Sequence, residues 1–400
     1  MPSENSLPEL AEASNTGGMG NGLMNRVWGK HFGPALLLAV LALFSAASTA
    51  SGQLVRDLPP PPPPKPTPKP TPVPTPTPLK DEDFDVVRVT SSLVMVPVSV
   101  VDARGEPVLG LQLPDFRLDE EGRTQEITQI GNPDQVPLDI AILFDVSSSV
   151  SDRGFFEFQQ KAAASFLKQV MKPVDRAAVF TIKGQPEMVA PLGPANAAAA
   201  TLLSIPAATS PVATAFYDAV LAAAGYLKNN SSEGHRRVIL VISDGDDNIS
   251  NAIRDLSQAE ARASLKGEVS PRAAQASLQV RRQRAVADVQ RAVQQADAAF
   301  YSVNPGGPSV RLNQISTRAQ NDMQLIAEST GGTAFLPGSE KDLEKVFSEV
   351  AAELRGQYLL QYYSNNAQAG GNQFRRIAVS LPARTEMRVR ARQGYYPKTK

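Results

Sequence analysis

The hydrophobic pattern alternates between two periods from Leu138 to Pro305. Short continuous apolar runs, typical of buried strands, are followed by stretches with apolar residues three and four positions apart, typical of helices. The strand-like runs are LDIAILFD, RAAVFTI, RRVILVI and AAFYSVNP, and the helical stretches are FFEFQQKAAASFLKQVM, TAFYDAVLAAAGYLKN and AVADVQRAVQQAD. This alternation predicts an α/β fold, a doubly wound and mostly parallel sheet covered by helices on both faces. We expect this domain to span residues 136–355 and to end with an edge strand and an amphipathic closing helix.

Two flanking segments, residues 81–135 and 356–400, show the period of two that is typical of half-buried strands. The first contains the turn signals ARGEP and EEGR, and the second contains the strand-like runs QYLLQYYS, RRIAVSL and MRVRARQGYY. We expect both segments to join in one accessory β-rich module. Arg384, Arg388, Arg390 and Arg392 form a basic stripe there, which we interpret as a solvated strand face, with an anionic partner as the alternative.

The first 80 residues carry patterns of export and spacing. Residues 1–52 contain an apolar core, GPALLLAVLALFSAAS, preceded by Arg26 and Lys30 and followed by small residues, as in a signal peptide. Met24 would give the short basic start that such signals have, so we expect translation to begin there. An uncleaved membrane anchor is the alternative. Residues 53–80 are rich in proline and predict a stiff polyproline II spacer.

Composition narrows the possible functions. The formal net charge is zero, which gives no global field for binding nucleic acid. Cysteine is absent and there are two histidines, His31 and His235, so disulfides, thiolate metal sites and histidine-rich metal chemistry are excluded. The chain also lacks a G-x-S-x-G turn and a phosphate-binding loop. We therefore expect a protein that is not an enzyme.

Oxygen-bearing side chains follow the predicted strands at positions where parallel sheets bind ligands. Asp145, Ser147 and Ser149 end the first strand, Thr214 precedes a helix, and Asp244 follows the strand VILVI. Such oxygens suit hard cations such as Mg²⁺, Ca²⁺ and Mn²⁺. Taken singly, the serines and the threonine are equally compatible with helix caps, and Asp244 with a turn. Only their combination favours a metal site.

This combination resembles the metal-ion-dependent adhesion site of von Willebrand factor type A domains. The matching motifs are DVSSS, the threonine before a YDA helix and the strand that ends in SDG. The flanking motifs GEPVLGL and RGQYLLQYYS resemble the extended bacterial version of the family, of the type found in Acidobacteria. The resemblance covers roughly residues 86–397 and implies a Rossmann-like domain.

The resemblance also implies roles for the five candidate metal residues. Ser147, Ser149 and Thr214 would coordinate a divalent cation directly or through water, whereas Asp145 and Asp244 would mainly hold coordinating waters. The cation would most readily be Mg²⁺, with Mn²⁺ or Ca²⁺ as alternatives. In the family, a Glu or Asp carboxylate of a protein partner fills the open coordination position.

Two further segments near the candidate metal residues have distinctive compositions. The run DGDDN contains Asp246, Asp247 and Asn248 but lacks the spacing of a calcium loop, so we expect a solvated acidic loop. Residues 253–284 are rich in Ala, Gln and Arg, and predict exposed helical pieces inserted after this loop. A partner-specific surface and a partly disordered insertion are both compatible with that composition.

Two functions follow from the sequence. The first is an exported module, in the periplasm, on the cell surface or secreted, that binds a partner carboxylate through the cation. The second is a structural or assembly protein of the cell envelope, in which the metal site is vestigial. We favour the first because the motif is complete.

Overall fold

The computed structural model describes residues 93–147, 156–254, 262–263, 265–306, 314–366 and 373–397. The strands are β1 Leu93–Val101, β2 Arg117–Glu120, β3 Arg123–Gln125, β4 Ile127–Gly131, β5 Leu138–Asp145, β6 Arg176–Ile182, β7 Glu187–Gly193, β8 Arg236–Ile242, β9 Ala298–Val303, β10 Ala334–Phe335, β11 Tyr358–Tyr363, β12 Arg375–Ser380, β13 Arg388–Ala391 and β14 Gly394–Tyr395. The helices are α1 Phe156–Val170, α2 Ala195–Ser204, α3 Phe216–Asn230, α4 Pro271–Gln295, α5 Gln314–Thr330 and α6 Glu340–Gly356.

The central sheet has the strand order β10-β9-β8-β5-β6-β7. Parallel ladders join β10 through β6, which confirms the predicted doubly wound sheet. The edge strand β7 runs antiparallel to β6. The sequence did not predict β7 or α2. Strand β7 lies at the sheet edge, where none of its seven residues is buried and its pattern is not a continuous apolar run.

Strand β5 lies at the centre of two hydrophobic cores, and all eight of its residues are buried. Because successive side chains of a strand point to opposite faces, Ile142 and Phe144 pack with α1, α2 and α6 on one face. Ala141 and Leu143 pack with α3, α4 and α5 on the other. The apolar run LDIAILFD is therefore a strand covered on both sides.

The flanking segments form two further four-stranded sheets, ordered β13-β1-β11-β4 and β14-β12-β2-β3. The predicted accessory β-rich module is thus confirmed, with strands from both flanks in each sheet. A buried carboxylate joins the two sheets. Glu120 accepts hydrogen bonds from Tyr362 Oη (2.7 Å), Ser364 Oγ (2.8 Å), Arg375 (3.0 Å) and Tyr395 Oη (3.2 Å).

The basic stripe of the module is only partly the solvated face that we expected. Arg390 donates to Glu353 of α6 at 3.1 Å, and Arg392 pairs with Asp297 and donates to the carbonyl of Met95 at 2.7 Å. The interpretation was therefore wrong for these two arginines. They contact the central domain because β13 lies against it, a neighbourhood that strand periodicity cannot reveal.

Helix α4 also differs from the prediction. We expected separate helical pieces up to residue 284 and a new helix after it, but a single helix of 25 residues runs through this boundary. Ser270 caps its amino end by accepting from the Ala273 N–H, and Pro271 occupies the first turn, where a missing N–H costs nothing. Proline here begins a helix rather than breaking one.

Several predicted segments lie outside the described residues. They are the leader, the Pro-rich spacer, the start of the β segment at 81–92, residues 255–261 and 264 of the proposed insertion, and Ser149. Among the helices that the structure does describe, none is long and apolar enough to cross a membrane.

We predict that Gly332→Ala destabilises the central domain by about 3 kcal/mol, as overpacked substitutions do. A Cβ at Gly332 would lie 2.0 Å from the carbonyl oxygen of Phe300, a backbone atom of β9 that cannot move aside. The matched control is Gly225→Ala in α3, where a Cβ meets nothing within 4 Å and alanine should stabilise the helix by about 0.5 to 1 kcal/mol. Urea unfolding measures both, and equal effects would contradict this account of Gly332.

A buried ion pair lies at the amino edge of the sheet. Asp139, whose side chain is fully buried, accepts from Arg176 at 2.9 and 2.7 Å, and His235 Nδ1 lies 3.2 Å away. Burial alone would raise the pKa of Asp139, but the hydrogen-bonded Arg176 and the adjacent His235 outweigh this effect and lower the pKa. We expect Asp139→Asn to cost about 3 kcal/mol at neutral pH, because Arg176 loses its partner.

The pH dependence follows from the sign of this shift. A carboxyl with a lowered folded-state pKa contributes stability above its unfolded pKa of about 3.9, and the contribution is lost as pH falls through the folded pKa. The difference between wild type and Asp139→Asn should therefore narrow below about pH 4. Urea unfolding at several pH values measures it, with Asp288→Asn, whose side chain is about half exposed, as control. A difference that is constant with pH would contradict the assignment.

Candidate metal centre

The carboxyl ends of β5, β6 and β8 meet at one edge of the central sheet. Asp145 pairs with Ile182, the last residue of β6, and Phe144 pairs with Ile242, the last residue of β8. The residues that follow each strand therefore share this edge. Ser147 lies two positions after Asp145, and Asp244 lies two positions after Ile242.

Asp145 is fully buried and held by two hydrogen bonds. One carboxylate oxygen accepts from the Ser147 N–H at 2.7 Å, and the other accepts from the Ser243 hydroxyl at 2.5 Å. Burial raises the pKa of Asp145 to about 6; the hydrogen bonds from Ser147 and Ser243 oppose this rise, and the charge of Asp244 adds to it. The carboxylate is thus fixed in place next to a second carboxylate.

Asp244 lies on a tight turn at this edge. Its Oδ1 accepts from the Asp246 N–H at 3.3 Å, and its carbonyl accepts from Asn304 Nδ2 at 3.5 Å. Gly245 has φ +73°, and a Cβ there would lie 2.7 Å from Cε of Met323 on α5. The turn that we considered as the alternative role for Asp244 therefore exists, and it brings the carboxylate close enough to act on Asp145.

Thr214 is held at the same edge by contacts with two other loops. The Ala215 N–H donates to the carbonyl of Lys183, just after β6, at 3.2 Å. The Thr214 N–H donates to Asn248 Oδ1 at 3.1 Å, and the Asn248 N–H donates back to the Thr214 carbonyl at 3.1 Å. Thr214 is buried and is not the cap of α3, since Ala215 occupies that position. The cap interpretation of Thr214 was therefore wrong.

Asp247 is buried rather than solvated, which corrects our expectation for the DGDDN run. Its side chain accepts from the Tyr217 N–H at 2.8 Å and from the Ser250 N–H and hydroxyl at 3.0 and 2.5 Å. It therefore satisfies a free amide in the first turn of α3 from 30 residues away in sequence. Together with Asn248, it fastens the Thr214 loop to the loop after β8.

Sequence reasoning did not single out Ser243, and it assigned Asp247 and Asn248 to a solvated loop without seeing their role at this edge. Ser243 could have been noted as the residue before Asp244 in the SDG motif. The other two carry no local signal, because their partners lie about 30 residues away.

The residues at this edge fit a hard divalent cation. Asp145, Ser147, Thr214 and Asp244 supply carboxylate and hydroxyl oxygens, the ligands preferred by Mg²⁺ and Mn²⁺. A cation there would also offset the repulsion between the two carboxylates. Among the described residues, no three His, Asp or Glu side chains are grouped as metal ligands. A site at this edge therefore depends on hydroxyls, and Ser149 remains a prediction.

The fold and this edge define a class: a doubly wound α/β domain with a candidate cation site at the carboxyl edge of its sheet. Residues 140–246 match the family model for the von Willebrand factor type A domain. The chain therefore contains a von Willebrand factor type A domain, as the sequence motifs indicated. The matched segment includes all five candidate metal positions. Membership of the extended bacterial group stays a prediction from the flanking motifs.

Solved structures of similar fold are distant. A von Willebrand factor type A protein from Catenulispora acidiphila has 13% identity and a TM-score of 0.39, with 67% of this chain and 51% of that chain covered. Proximal thread matrix protein 1 from the mussel byssus, with a zinc-occupied MIDAS motif, has 14% identity and a TM-score of 0.39, with 60% and 50% covered. The PilB minor pilin from Streptococcus sanguinis has 12% identity and a TM-score of 0.39, with 58% and 64% covered.

The chain spans about half the length of the first two of these proteins. At such low identities and TM-scores, the likenesses carry no argument about what this chain binds. No curated protein matched the chain.

We predict that Asp247→Ala weakens metal-dependent stabilisation although Asp247 is not a candidate ligand. Removing its carboxylate leaves the Tyr217 N–H unpaired and releases the loop that holds Thr214, which should cost about 1 to 2 kcal/mol of folding free energy. Thermal unfolding with and without Mg²⁺ measures both effects. Asp246→Ala, one position earlier and half-buried, is the control. If the two variants lost the Mg²⁺ effect equally, this role of Asp247 would be wrong.

Proposed function

We propose that the protein is an exported binding module whose metal site engages a carboxylate of a protein partner. Domains of this family commonly take part in metal-dependent adhesion and protein interaction. The observation that carries the proposal is the convergence of Asp145, Ser147, Thr214 and Asp244 at one edge of the sheet, although they span nearly 100 residues of sequence.

The hydroxyl and carboxylate residues of the site would have different roles. The hydroxyls of Ser147, Ser149 and Thr214 would hold the cation, and Asp145 and Asp244 would fix its waters and balance its charge. Mg²⁺ is the first choice, and Mn²⁺ and Ca²⁺ are compatible with the same oxygens. The bound cation would supply an electrostatic link to an acidic side chain of the partner. Because this chain would supply few negatively charged ligands directly, the cation would still attract a carboxylate of the partner.

We propose binding rather than catalysis at this site. His235, the histidine among the described residues, contacts Asp139 at the amino edge of the sheet. Strand β8 separates it from Asp244, and its seven residues span about 23 Å. The histidine is thus too far from the candidate metal to act as a base there. Export is proposed from the leader and spacer patterns in residues 1–80.

The proposal predicts metal-dependent stabilisation of the protein. A ligand that binds only the folded state stabilises it by RT ln(1 + [L]/Kd), about 2.7 kcal/mol at a hundredfold excess over Kd. Thermal unfolding of wild type should shift upward in Mg²⁺ or Mn²⁺ relative to chelator, whereas Asp145→Asn should not shift. Asp288→Asn on α4, which removes a half-exposed carboxylate away from the candidate site, should shift like wild type.

Asp145→Asn also tests whether the site or the fold has been damaged. The substitution removes a buried charge that is repelled by Asp244, so in chelator the variant should be at least as stable as wild type. If neither protein responds to millimolar metal, the metal-dependent function fails, and assembly through the β module becomes the better account.

A further inference from the structure

Helix α4 extends well beyond the sheet on the side of the candidate metal centre. Its 25 residues span about 37 Å, whereas β8 spans about 23 Å. Its carboxyl end lies at the amino edge of the sheet, because β9 begins there at Ala298. The excess length must therefore project past the carboxyl edge.

Arg282 marks where α4 passes the metal loop. Its guanidinium donates to the carbonyl of Asp247 at 3.4 Å, and its charge acts on Asp246 and Asp322. The eleven residues that precede it in the helix extend about 16 Å further out. Residues 271–277 are exposed or half-buried throughout, as expected for an overhang, whereas Leu278 still packs against the core beneath the helix.

One side of this overhang presents cations and amides. Arg272, Gln275, Gln279 and Arg282 are spaced three and four residues apart, so they fall on one side of the helix. We name these four residues the overhanging face. Because Arg282 contacts the metal loop, this face is directed toward the carboxyl edge of the sheet.

The charge of the overhanging face is not neutralised by the helix itself. The segment 269–287 contains no Asp or Glu, and Arg272 is exposed and forms no ion pair with any described residue. Below it, the acidic side chains near the metal loop already have Arg282 as a neighbour. Arg272 and the two glutamines thus remain available to an acidic ligand.

We propose that the partner is an acidic segment that makes two contacts, one carboxylate at the metal centre and further carboxylates on the overhanging face. This inference rests on the proposed function and specifies its partner. Exposed guanidinium–carboxylate pairs add modest affinity, and they speed encounter in a salt-dependent way. Five to six extended residues span about 16 Å, the length of the overhang beyond Arg282, so we place a spacer of this length between the two acidic groups of the test peptide.

The test uses two synthetic peptides and the full-length protein. The acidic probe carries one Glu, a five-residue Gly/Ser spacer and three Glu; the control peptide carries three Gln in place of the last three Glu. Fluorescence anisotropy in Mg²⁺ at low and high salt measures binding. We expect the acidic probe to bind about fivefold more tightly at low salt, the equivalent of about 1 kcal/mol, and the advantage to vanish at high salt.

Two charge-matched variants locate the second contact. Arg272→Glu should abolish the advantage of the acidic probe. Arg284→Glu, on the same helix but about 200° around from Arg282, should preserve it. Equal affinities of wild type for the two peptides would overturn the inference. So would an equal loss in both variants, which would indicate diffuse electrostatic attraction.

The same measurements distinguish failure of the metal-dependent function from failure of the overhanging face. If the acidic probe keeps its advantage in chelator and metal changes neither binding nor thermal unfolding, the overhanging face is supported and the metal-dependent function is not. If metal stabilises the protein and strengthens binding, but the acidic probe and the control peptide bind with equal affinity at low salt, the metal-dependent function stands and the overhanging face is rejected.

Discussion

The parallel, in-register pairing of β5 with β6 and β8 is the constraint on which the rest of the structure depends. It places the ends of three strands at one edge, so that Asp145, the turn of Asp244 and the Thr214 loop become neighbours. The same pairing requires β5 to be covered on both faces, which the two hydrophobic cores provide. Packing of the helices therefore fixes the geometry of the candidate metal centre.

The candidate metal centre buries a carboxylate, which by itself opposes folding. Asp145 is buried beside Asp244, and burial of a carboxylate costs free energy unless hydrogen bonds or a cation offset the cost. Ser147 and Ser243 supply part of that compensation. The remainder is what a bound cation would contribute, so the stability of the domain and its binding of metal should be linked through this one side chain.

The surroundings of the centre are built from distant parts of the chain. Asp247 and Asn248 fasten the Thr214 loop, and helix α4 carries Arg282 to the same loop and continues beyond it. At the opposite edge of the sheet, Arg390 and Arg392 join the β module to α6 and to Asp297. The domain thus has its accessory module at one end and its candidate binding surface at the other.

The sequence by itself determined the central strands, most helices and the candidate residues Asp145, Ser147, Thr214 and Asp244, because burial imposes a period on each element and short polar residues at strand ends are a local signal. Edge strand β7 and the start of α4 escaped prediction, since an exposed edge lacks the buried pattern and proline both begins and breaks helices. The role of Asp247 and the ion pairs of Arg390 and Arg392 were decided only by the tertiary structure. Their partners lie 30 or more residues away, and no local pattern encodes which distant groups packing will bring together.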